Sequence, residues 1–353
     1  MGLPLGVTVA AATRLPAVRR LVDRVTVATV ASLVGVTAFA SVQPSPAGPL
    51  AVALIFLPHL FIPLLVLVPL ALALGGRVAK AAAAVGGLLW AFLFLPGLLA
   101  LPASPTPGAL RFSVATWNLL EENTDAAALR RTVAEADASV VALQELSFRQ
   151  RDLLLADPVL ADRYRSRALF PNDRYRGMGL LSVFPILEEG YREAPPVMWA
   201  RLDAGGRRLL IVNAHPLPGQ IAWLRFGTQA LPVGFDGTTR DEQIAAILSL
   251  TQTLRRPDEP VLLVGDFNVT EREPAYRRIT AQFGDAKRAA GFGAQNTWKS
   301  WFLMRTGWAI LRIDYLFFSA DFTVTAVATD CRQSGSDHCL VRAVFQLPPS
   351  GLP

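Results

Sequence analysis

The sequence predicts an α/β protein: a layered α/β domain from about residue 111 onward, preceded by an N-terminal helical transmembrane region. Three observations predict it. Hydrophobic residues make up 52 % of the 353-residue chain, more than an ordinary soluble protein carries, so part of the apolar surface must face lipid. The excess is local, because between residues 25 and 101 the only charged side chains are Arg77 and Lys80. From residue 111 the pattern changes to short apolar runs alternating with helical spacing, as strands and helices packed in layers require.

Residues 1–24 form a basic start containing Arg14, Arg19, Arg20 and Arg24. Three apolar runs follow, 25–42, 49–76 and 81–101, each near the roughly 20 residues that cross a hydrocarbon core. Pro58, Pro63 and Pro69 should kink the second run, which neighbouring helices can tolerate. His59 lies among them, and with no acidic residue in any run a packing or interface role is expected of it. A signal peptide ending near Ala38, Ala40 and Ser41 is disfavoured because two more apolar runs follow at once. The excess of Lys and Arg on inner loops places 1–24 and the Arg77–Lys80 loop in the cytoplasm. The uncharged loop 43–48 and everything after 101 then lie outside, on a plasma (inner) membrane. Residues 102–110, rich in Pro, Ser, Thr and Gly, read as an exposed linker to a domain spanning 111–347.

Within that domain the runs 112–117, 140–143, 179–182, 209–212, 261–264, 313–318 and 341–345 read as strands. Residues 125–136 and 240–254 have helical spacing, the second opened by Thr238 or Thr239 as a cap. No internal repeat recurs at a fixed period. The net charge of +6 would by itself suggest an acidic partner. Part of that excess, however, belongs to the arginines before the first apolar run. Cys331 and Cys339 do not make a Cys-x-x-Cys zinc site. They form either a disulfide, if the domain lies outside the cytoplasm, or two thiols.

Polar groups gather where these strands end. Asn118 closes the first and Gln144-Glu145 the second; Asn213-Ala214-His215 and Gly265-Asp266-Phe267-Asn268 follow two more. Arg312-Ile313-Asp314 opens the next, and Ser336-Asp337-His338 precedes the last. Singly, each is an ordinary turn or surface group. Together they are hard to explain by packing, since such groups cost free energy to bury unless paired or bound to metal. A phosphodiester is an anion that repels nucleophiles, so its hydrolysis needs a cation and several donors. Glu145, Asp337 and the Asn118 amide are hard oxygen ligands that suit Mg2+, with Mn2+ as a substitute. Asp266 is the candidate to orient and deprotonate water, and Asn268 to donate to the developing oxyanion. His338 beside Asp314 would form a His–carboxylate pair, and His215 a second proton donor or phosphate ligand.

The segments ATWNLL (115–120), LQEL (143–146), GMGLLSVFPI (177–186), NAHPLPG (213–219), GDFNVTEREPAYRRI (265–279), RIDYLFFS (312–319) and SDH (336–338) resemble, in this order, the endonuclease/exonuclease/phosphatase superfamily. The resemblance covers nearly the whole domain. It implies a four-layer α/β/β/α sandwich and a divalent-metal hydrolase of phosphate esters, whether phosphodiesterase, nuclease or phosphatase. It places Asn118, Glu145, His215, Asp266, Asn268, Asp314, Asp337 and His338 in the roles argued above. The multi-span N-terminus looks like that of membrane-anchored bacterial members. The chain departs from relatives in two places. No helper carboxylate is identifiable beside His215, and Cys339 follows His338 where Arg or Pro is common, so the local loop is expected to differ.

The family does not fix the substrate. Two segments near the site are unusually apolar: 221–235, with Trp223, Leu224, Phe226, Leu231, Val233 and Phe235, and 298–308, with Trp301, Phe302, Leu303 and Met304. Either the domain's own loops cover them, or they lie against the membrane and receive a lipid headgroup. A domain tethered outside the cytoplasm favours phospholipid or another extracytoplasmic phosphodiester. The alternatives are a membrane-anchored nuclease acting on DNA or RNA, and a non-catalytic receptor or scaffold, which would not need the metal carboxylates and the His–Asp pair together. The basic segments 163–167 and 174–176 would hold phosphates in either catalytic case. Membrane lipid is an expected partner, and no protein partner is implied.

Overall fold

Strand residues of the C-terminal domain point alternately into two different cores, and this alternation is what layers it. The structure, a computed structural model, describes residues 6–42, 47–227, 229–300, 307–332 and 334–349. The N-terminal region forms α1 (Gly6–Val42), β1 (Ala47–Gly48), α2 (Pro49–Ile55), α3 (Leu57–Leu60), α4 (Leu64–Leu74) and α5 (Arg77–Leu98). The domain begins with β2 (Leu110–Asn118), α6 (Ala126–Glu135), β3 (Val140–Gln144), α7 (Phe148–Leu155), α8 (Pro158–Arg163), β4 (Ser166–Phe170) and β5 (Met178–Ser182). It continues with β6 (Ile186–Glu193), β7 (Pro196–Ala204), β8 (Arg207–Ala214), β9 (Gln220–Phe226), β10 (Gln229–Asp236) and α9 (Thr238–Leu254). It ends with β11 (Val261–Asp266), α10 (Pro274–Thr280), β12 (Gly284–Asp285), α11 (Ala286–Ala290), β13 (Asp314–Phe318), β14 (Thr323–Asp330) and β15 (Leu340–Leu347).

Two six-stranded sheets, ordered β14-β15-β2-β3-β5-β4 and β12-β13-β11-β8-β7-β6, face each other. Val114, Val140 and Leu180 of the first meet Met198, Ile211, Val264 and Leu316 of the second in the central core. The alternate residues Ala115, Val141 and Leu143 pack outward under Leu129 and Val133 of α6 and Leu154 of α7. On the far side Leu210, Val212 and Leu263 pack under Ile244 and Ile247 of α9 and Ala275 of α10. The result is the four-layer α/β/β/α sandwich. Both sheets also share one pairing scheme: β2 and β3 are parallel, as are β11 and β8, and every other pairing is antiparallel. Two similar halves are therefore present in pairing even though the sequence shows no repeat.

All seven expected strands form, six of them longer than expected and β13 starting one residue later, and α6 is capped by Asp125, whose carboxylate accepts from Ala128 N at 2.9 Å. The cap expected of Thr238 or Thr239 is not made. Gly237 occupies the cap of α9 with no side-chain bond, and Thr238 N donates instead to Asp236 Oδ1 at 2.9 Å. The carboxylate two residues upstream takes the orienting role.

In the N-terminal region, Pro16–Val42, Leu57–Leu74 and Arg77–Leu98 are long and apolar enough to cross a membrane. The first runs further back than residue 25 because α1 is continuous from Gly6. The second apolar run is not one span: it breaks at Phe56, and the prolines that remove backbone donors fragment it further. Small residues let the helices approach, as at Gly86, where an added Cβ would lie 3.0 Å from Val30 and 3.1 Å from Leu64. Asp23 of α1 accepts from Gly76 N at 2.7 Å, capping the start of α5. The detached α2 packs on the domain, where Ala51 and Ile55 bury against Phe235. β1 pairs with β10, so a three-stranded sheet β1-β10-β9 joins the region to the domain.

Candidate active site

The site forms where the central strands of the two sheets end side by side. The parallel pairing of β8 with β11 sets Gly265 opposite Ala214, so Asp266 arrives beside His215. Only glycine fits at 265: its φ is +135°, and a Cβ would lie 2.0 Å from Ala214 O. Glu145 (φ 55°) and Asn268 (φ 51°) sit in the left-handed region, a strain that persists where surrounding structure over-determines the backbone.

A buried amide ladder aligns the strand ends. Gln144 Nε2 donates to Thr116 Oγ1 (2.9 Å) and Asn213 Oδ1 (2.7 Å), while Asn213 Nδ2 donates to Leu143 O and Gly179 O. Above it Asn118 Nδ2 donates to both Glu145 Oε1 (2.9 Å) and Asp266 Oδ2 (3.0 Å), and its Oδ1 accepts from Leu120 N. Asn118 thus turns its amino group, not its oxygen, to the carboxylates. His215 Nδ1 lies 3.1 Å from Tyr175 O, which can only accept, so this nitrogen carries a proton. Its Nε2 faces Asp266 Oδ2 at 3.5 Å and Glu145 Oε1 at 3.6 Å. His338 Nδ1 is held by both oxygens of Asp314 (2.9 and 3.1 Å), and its Nε2 lies 3.6 Å from Asp266 Oδ2. Ser336 Oγ donates to Asn118 O and accepts from His338 N, tying the last loop to the first strand.

Asp266 and Asp314 are at most 1 % exposed, His215 2 % and His338 5 %. Burial pushes the Asp266 carboxyl up to about 6; Asp314 adds to the rise, while His338 and His215 oppose it. Burial alone would lower His338, but the Asp314 and Asp266 carboxylates outweigh it and raise the imidazole to about 10. His338 is accordingly an imidazolium at neutral pH.

Asp266, Asp314 and His338 bring ligand-capable atoms within 4.8 Å of one another. His338 Nδ1 is already committed to Asp314, while Glu145 and Asp337 line the same cleft as Asp266 and offer further carboxylate oxygens to a cation there. The donor set fits one. Asp337 Oδ1 is buried with no hydrogen-bond partner, and its Oδ2 accepts from Trp298 Nε1 at 3.0 Å. Lys299, whose buried Nζ has no hydrogen-bond partner, interacts with the charge of Asp337, whereas among the described residues no Lys or Arg pairs with Glu145 or Asp266. Carboxylates so buried are costly unless a cation joins them.

The structure gathers all eight residues singled out in the sequence: six are joined by the contacts above, Asp337 Oδ1 lies 3.9 Å from His338 Nε2, and Asn268 N donates to Asp266 Oδ1 at 2.9 Å while its Nδ2 donates to Pro216 O. The basic segments do not converge on the site. Arg163 pairs with Asp137, Arg165 with Asp162 and Arg176 with Glu193, and Arg167 binds backbone carbonyls. Reading the sequence missed Trp298, Tyr175 and Arg240. Arg240 is 1 % exposed, pairs with Asp241 and Glu273, and donates to Asn268 O at 2.7 Å, fixing the left-handed turn. An arginine inside an otherwise amphipathic helix was its only signal.

The cleft above the site has a volume of about 630 Å³, and its walls are apolar. Val52, Ile55 and Phe56, from α2 and the residue after it, line it together with Ile221 and Phe235 of the hairpin. Strand β9 is exposed along its whole length, as are Leu231 and Val233 of β10, whereas Phe235 is buried against Ala51 and Ile55. Of the second apolar segment, Trp298 lines the cleft and Trp308 is exposed, while Trp301, Phe302, Leu303 and Met304 lie outside the described residues. Cys331 and Cys339 form a disulfide, which pins the strand start next to His338.

A sequence model described as Endonuclease/Exonuclease/phosphatase family matches residues 115–338, more than half of the chain. Among curated proteins none matches. Solved structures with the same fold include a humanized TDP2 of D. rerio, 19 % identical with TM-score 0.51, covering 67 % of this chain and 98 % of that one. An endonuclease/exonuclease/phosphatase family protein from Bacteroides thetaiotaomicron is 17 % identical with TM-score 0.52, covering 68 % and 99 %. A mannosyl-6-phosphatase from the same species is 18 % identical with TM-score 0.51, covering 66 % and 99 %. At these identities the likeness is one of fold.

Proposed function

We propose, from the premise that this chain belongs to the endonuclease/exonuclease/phosphatase family, that it is a membrane-anchored hydrolase of phospholipid or a similar amphiphilic phosphodiester. The family's members are phosphoesterases. The observation that carries the finer reading is that α2 and the hairpin β9–β10, both apolar and contiguous with the helices able to cross a membrane, wall the cleft over the site.

Glu145, Asp266 and Asp337 would hold Mg2+, or Mn2+ in its place, with Asn118 aligning two of the carboxylates. When bound, the ion supplies Lewis-acid polarisation of the phosphoryl oxygens and charge neutralisation. Asp266, largely ionised at pH 7, orients a water and takes its proton as the oxygen attacks phosphorus. His338, kept cationic by Asp314 and Asp266, presents Nε2–H to a phosphoryl oxygen, and Asn268 has one amide proton left for the same oxyanion. His215, its Nδ1–H held by Tyr175 O, turns Nε2 into the site, and only as the imidazolium, with both nitrogens protonated, does it donate from Nε2 to the phosphate.

A domain outside the cytoplasm is supported by the arginine distribution and by the Cys331–Cys339 disulfide, since such bonds persist in oxidising compartments. Alkaline phosphatase fused after Leu110 should then be active, and an inactive fusion would reject this orientation. D. rerio TDP2 has been solved with a single-strand DNA product, but that likeness concerns fold alone, which makes nucleic acid the control substrate. The full chain, reconstituted with Mg2+, should hydrolyse vesicle phospholipid faster than single- or double-stranded DNA. Faster turnover of either DNA would overturn the lipid reading. A chain without activity on either DNA, phospholipid or bis-p-nitrophenyl phosphate would be a scaffold.

A further inference from the structure

A second cavity, of about 330 Å³, lies between the helical region and the domain; it shares Ile55, Thr270 and Leu311 with the catalytic cleft, but none of the catalytic carboxylates lines it. One side is apolar and aromatic, formed by Trp90, Leu93 and Phe94 in the last turns of α5. The other side is cationic, formed by Arg272, Lys287 and Arg288 of the domain.

The charges on this wall do not balance. Arg312 takes Asp285 and Glu271, and the same Glu271 also serves Lys287 (3.8 Å) and Arg288 (3.2 Å). Arg272 has no carboxylate within ion-pair distance among the described residues. Its guanidinium donates to Leu93 O and lies 4.9 Å from the centre of the Phe94 ring. Three cations thus share two carboxylates, and Arg272 is a fourth without one. Burial holds both Arg272 and Lys287 below their usual ranges, showing how little water compensates them. A partly buried guanidinium without a counter-ion is costly, and an anion entering the cavity would relieve that cost. His59, whose Nδ1 is buried without a hydrogen-bond partner, also lines the space.

Position selects among anions. The cavity adjoins the end of a helix able to cross a membrane, where Phe92 is 80 % exposed and Trp90 39 %. That is the depth at which headgroups meet acyl chains, and where Trp is favoured. We propose that this cavity binds one anionic phospholipid, its phosphate against Arg272 and Arg288 and its acyl chains along Trp90 and Phe94. The lipid acts as a structural clamp between α5 and the domain. The inference rests on α5 being embedded in a membrane, and it is independent of the catalytic reading.

Native mass spectrometry of the full chain in detergent, with EDTA to empty any metal site, tests it. One phosphatidylglycerol should be retained in preference to phosphatidylcholine. Arg272→Gln and, separately, the more exposed Arg288→Glu should each weaken that preference by about fivefold or more, given roughly 1 kcal/mol per basic residue near anionic lipid. Arg288→Glu guards against a fold defect at Arg272. His338→Ala should leave retention unchanged, which separates this cavity from the catalytic cleft. Equal retention of phosphatidylcholine, or a preference untouched in Arg288→Glu, would overturn the proposal. So would displacement of the lipid by millimolar inorganic phosphate, which would reassign the cavity to a free oxyanion.

Discussion

The floor of the catalytic cleft and its wall come from different parts of the chain and differ in how firmly they are built. On the floor, Asp266, Asp314 and His338 are at most 5 % exposed and locked by short polar contacts. On the wall, Ile221 of β9 is 47 % exposed, and among the described residues β9 pairs with β10 alone, itself paired to the two residues of β1. The floor therefore serves chemistry common to any phosphate ester, because its groups address the phosphoryl centre and nothing else. The wall addresses what is attached to the phosphate. Substrate choice should be separable from catalysis by mutation.

The sharpest way to break this division is at the floor. His338→Ala removes the cation that faces the phosphoryl oxygen, and it should lower Mg2+-supported hydrolysis of bis-p-nitrophenyl phosphate roughly a hundred- to ten-thousandfold, the usual span for a proton-transfer group. Asp314→Asn should follow it with a smaller loss, because the imidazole stays but its charge is less favoured. Activity within twofold of wild type in the alanine variant would remove His338 from the mechanism.

The wall should respond with the opposite selectivity. Phe56→Ala and Ile221→Ala alter the cleft wall and touch no group on the floor. Each should reduce turnover of vesicle phospholipid about tenfold, in keeping with the loss of roughly 1–2 kcal/mol of apolar contact. Hydrolysis of the small soluble ester should stay within about twofold. Parallel losses on both substrates would show that the wall shapes the floor, and the separation drawn above would fail.

The same contrast explains what could be read from the sequence. The seven strands recognised are all inner ones, mostly continuous in hydrophobicity, as with Val261 to Val264; the eighth inner strand, β7, was not recognised, because Arg201 and Asp203 interrupt its apolar run. β6, an edge strand that runs Ile-Leu-Glu-Glu-Gly-Tyr-Arg-Glu, and β9, exposed throughout, carry no such signal because partner strands rather than burial define them. The floor was legible because Asp and His at the ends of buried strands conflict with packing unless they serve chemistry. Trp298 was not, since its role depends on a contact with Asp337 across 39 positions of sequence. The wall was legible only as apolarity. Nothing in Val52 or Phe56 distinguishes a residue lining a cleft from one crossing a membrane, and the break at Phe56 that frees α2 depends on where prolines stop a helix in three dimensions.

The smallest expected effect concerns stability, and it tests whether the floor is strained for function. Asp266 titrates at about 6 in the fold against 3.8 for an unperturbed carboxyl, so burial favours its neutral form. A group whose folded pKa is raised contributes stability that is complete below the unfolded value and is lost as pH rises through the folded value. In metal-free protein this contribution should fade between about pH 4 and pH 6, a change on the order of 3 kcal/mol or less for a shift of this size. His338 works in the same direction over a higher window, from about pH 6.5 to about pH 10, which begins only where the Asp266 change is ending. Asp266→Asn cannot ionise. The melting temperature of wild type minus that of the variant, measured in EDTA, should therefore fall by a few degrees from pH 4 to pH 7. Adding Mg2+ should shrink that fall, because a cation at Glu145, Asp266 and Asp337 favours the ionised carboxylate. A difference that rises with pH in EDTA would mean that Asp266 is already stabilised as an anion by its neighbours, and the floor would then be a relaxed network rather than one held ready for a metal.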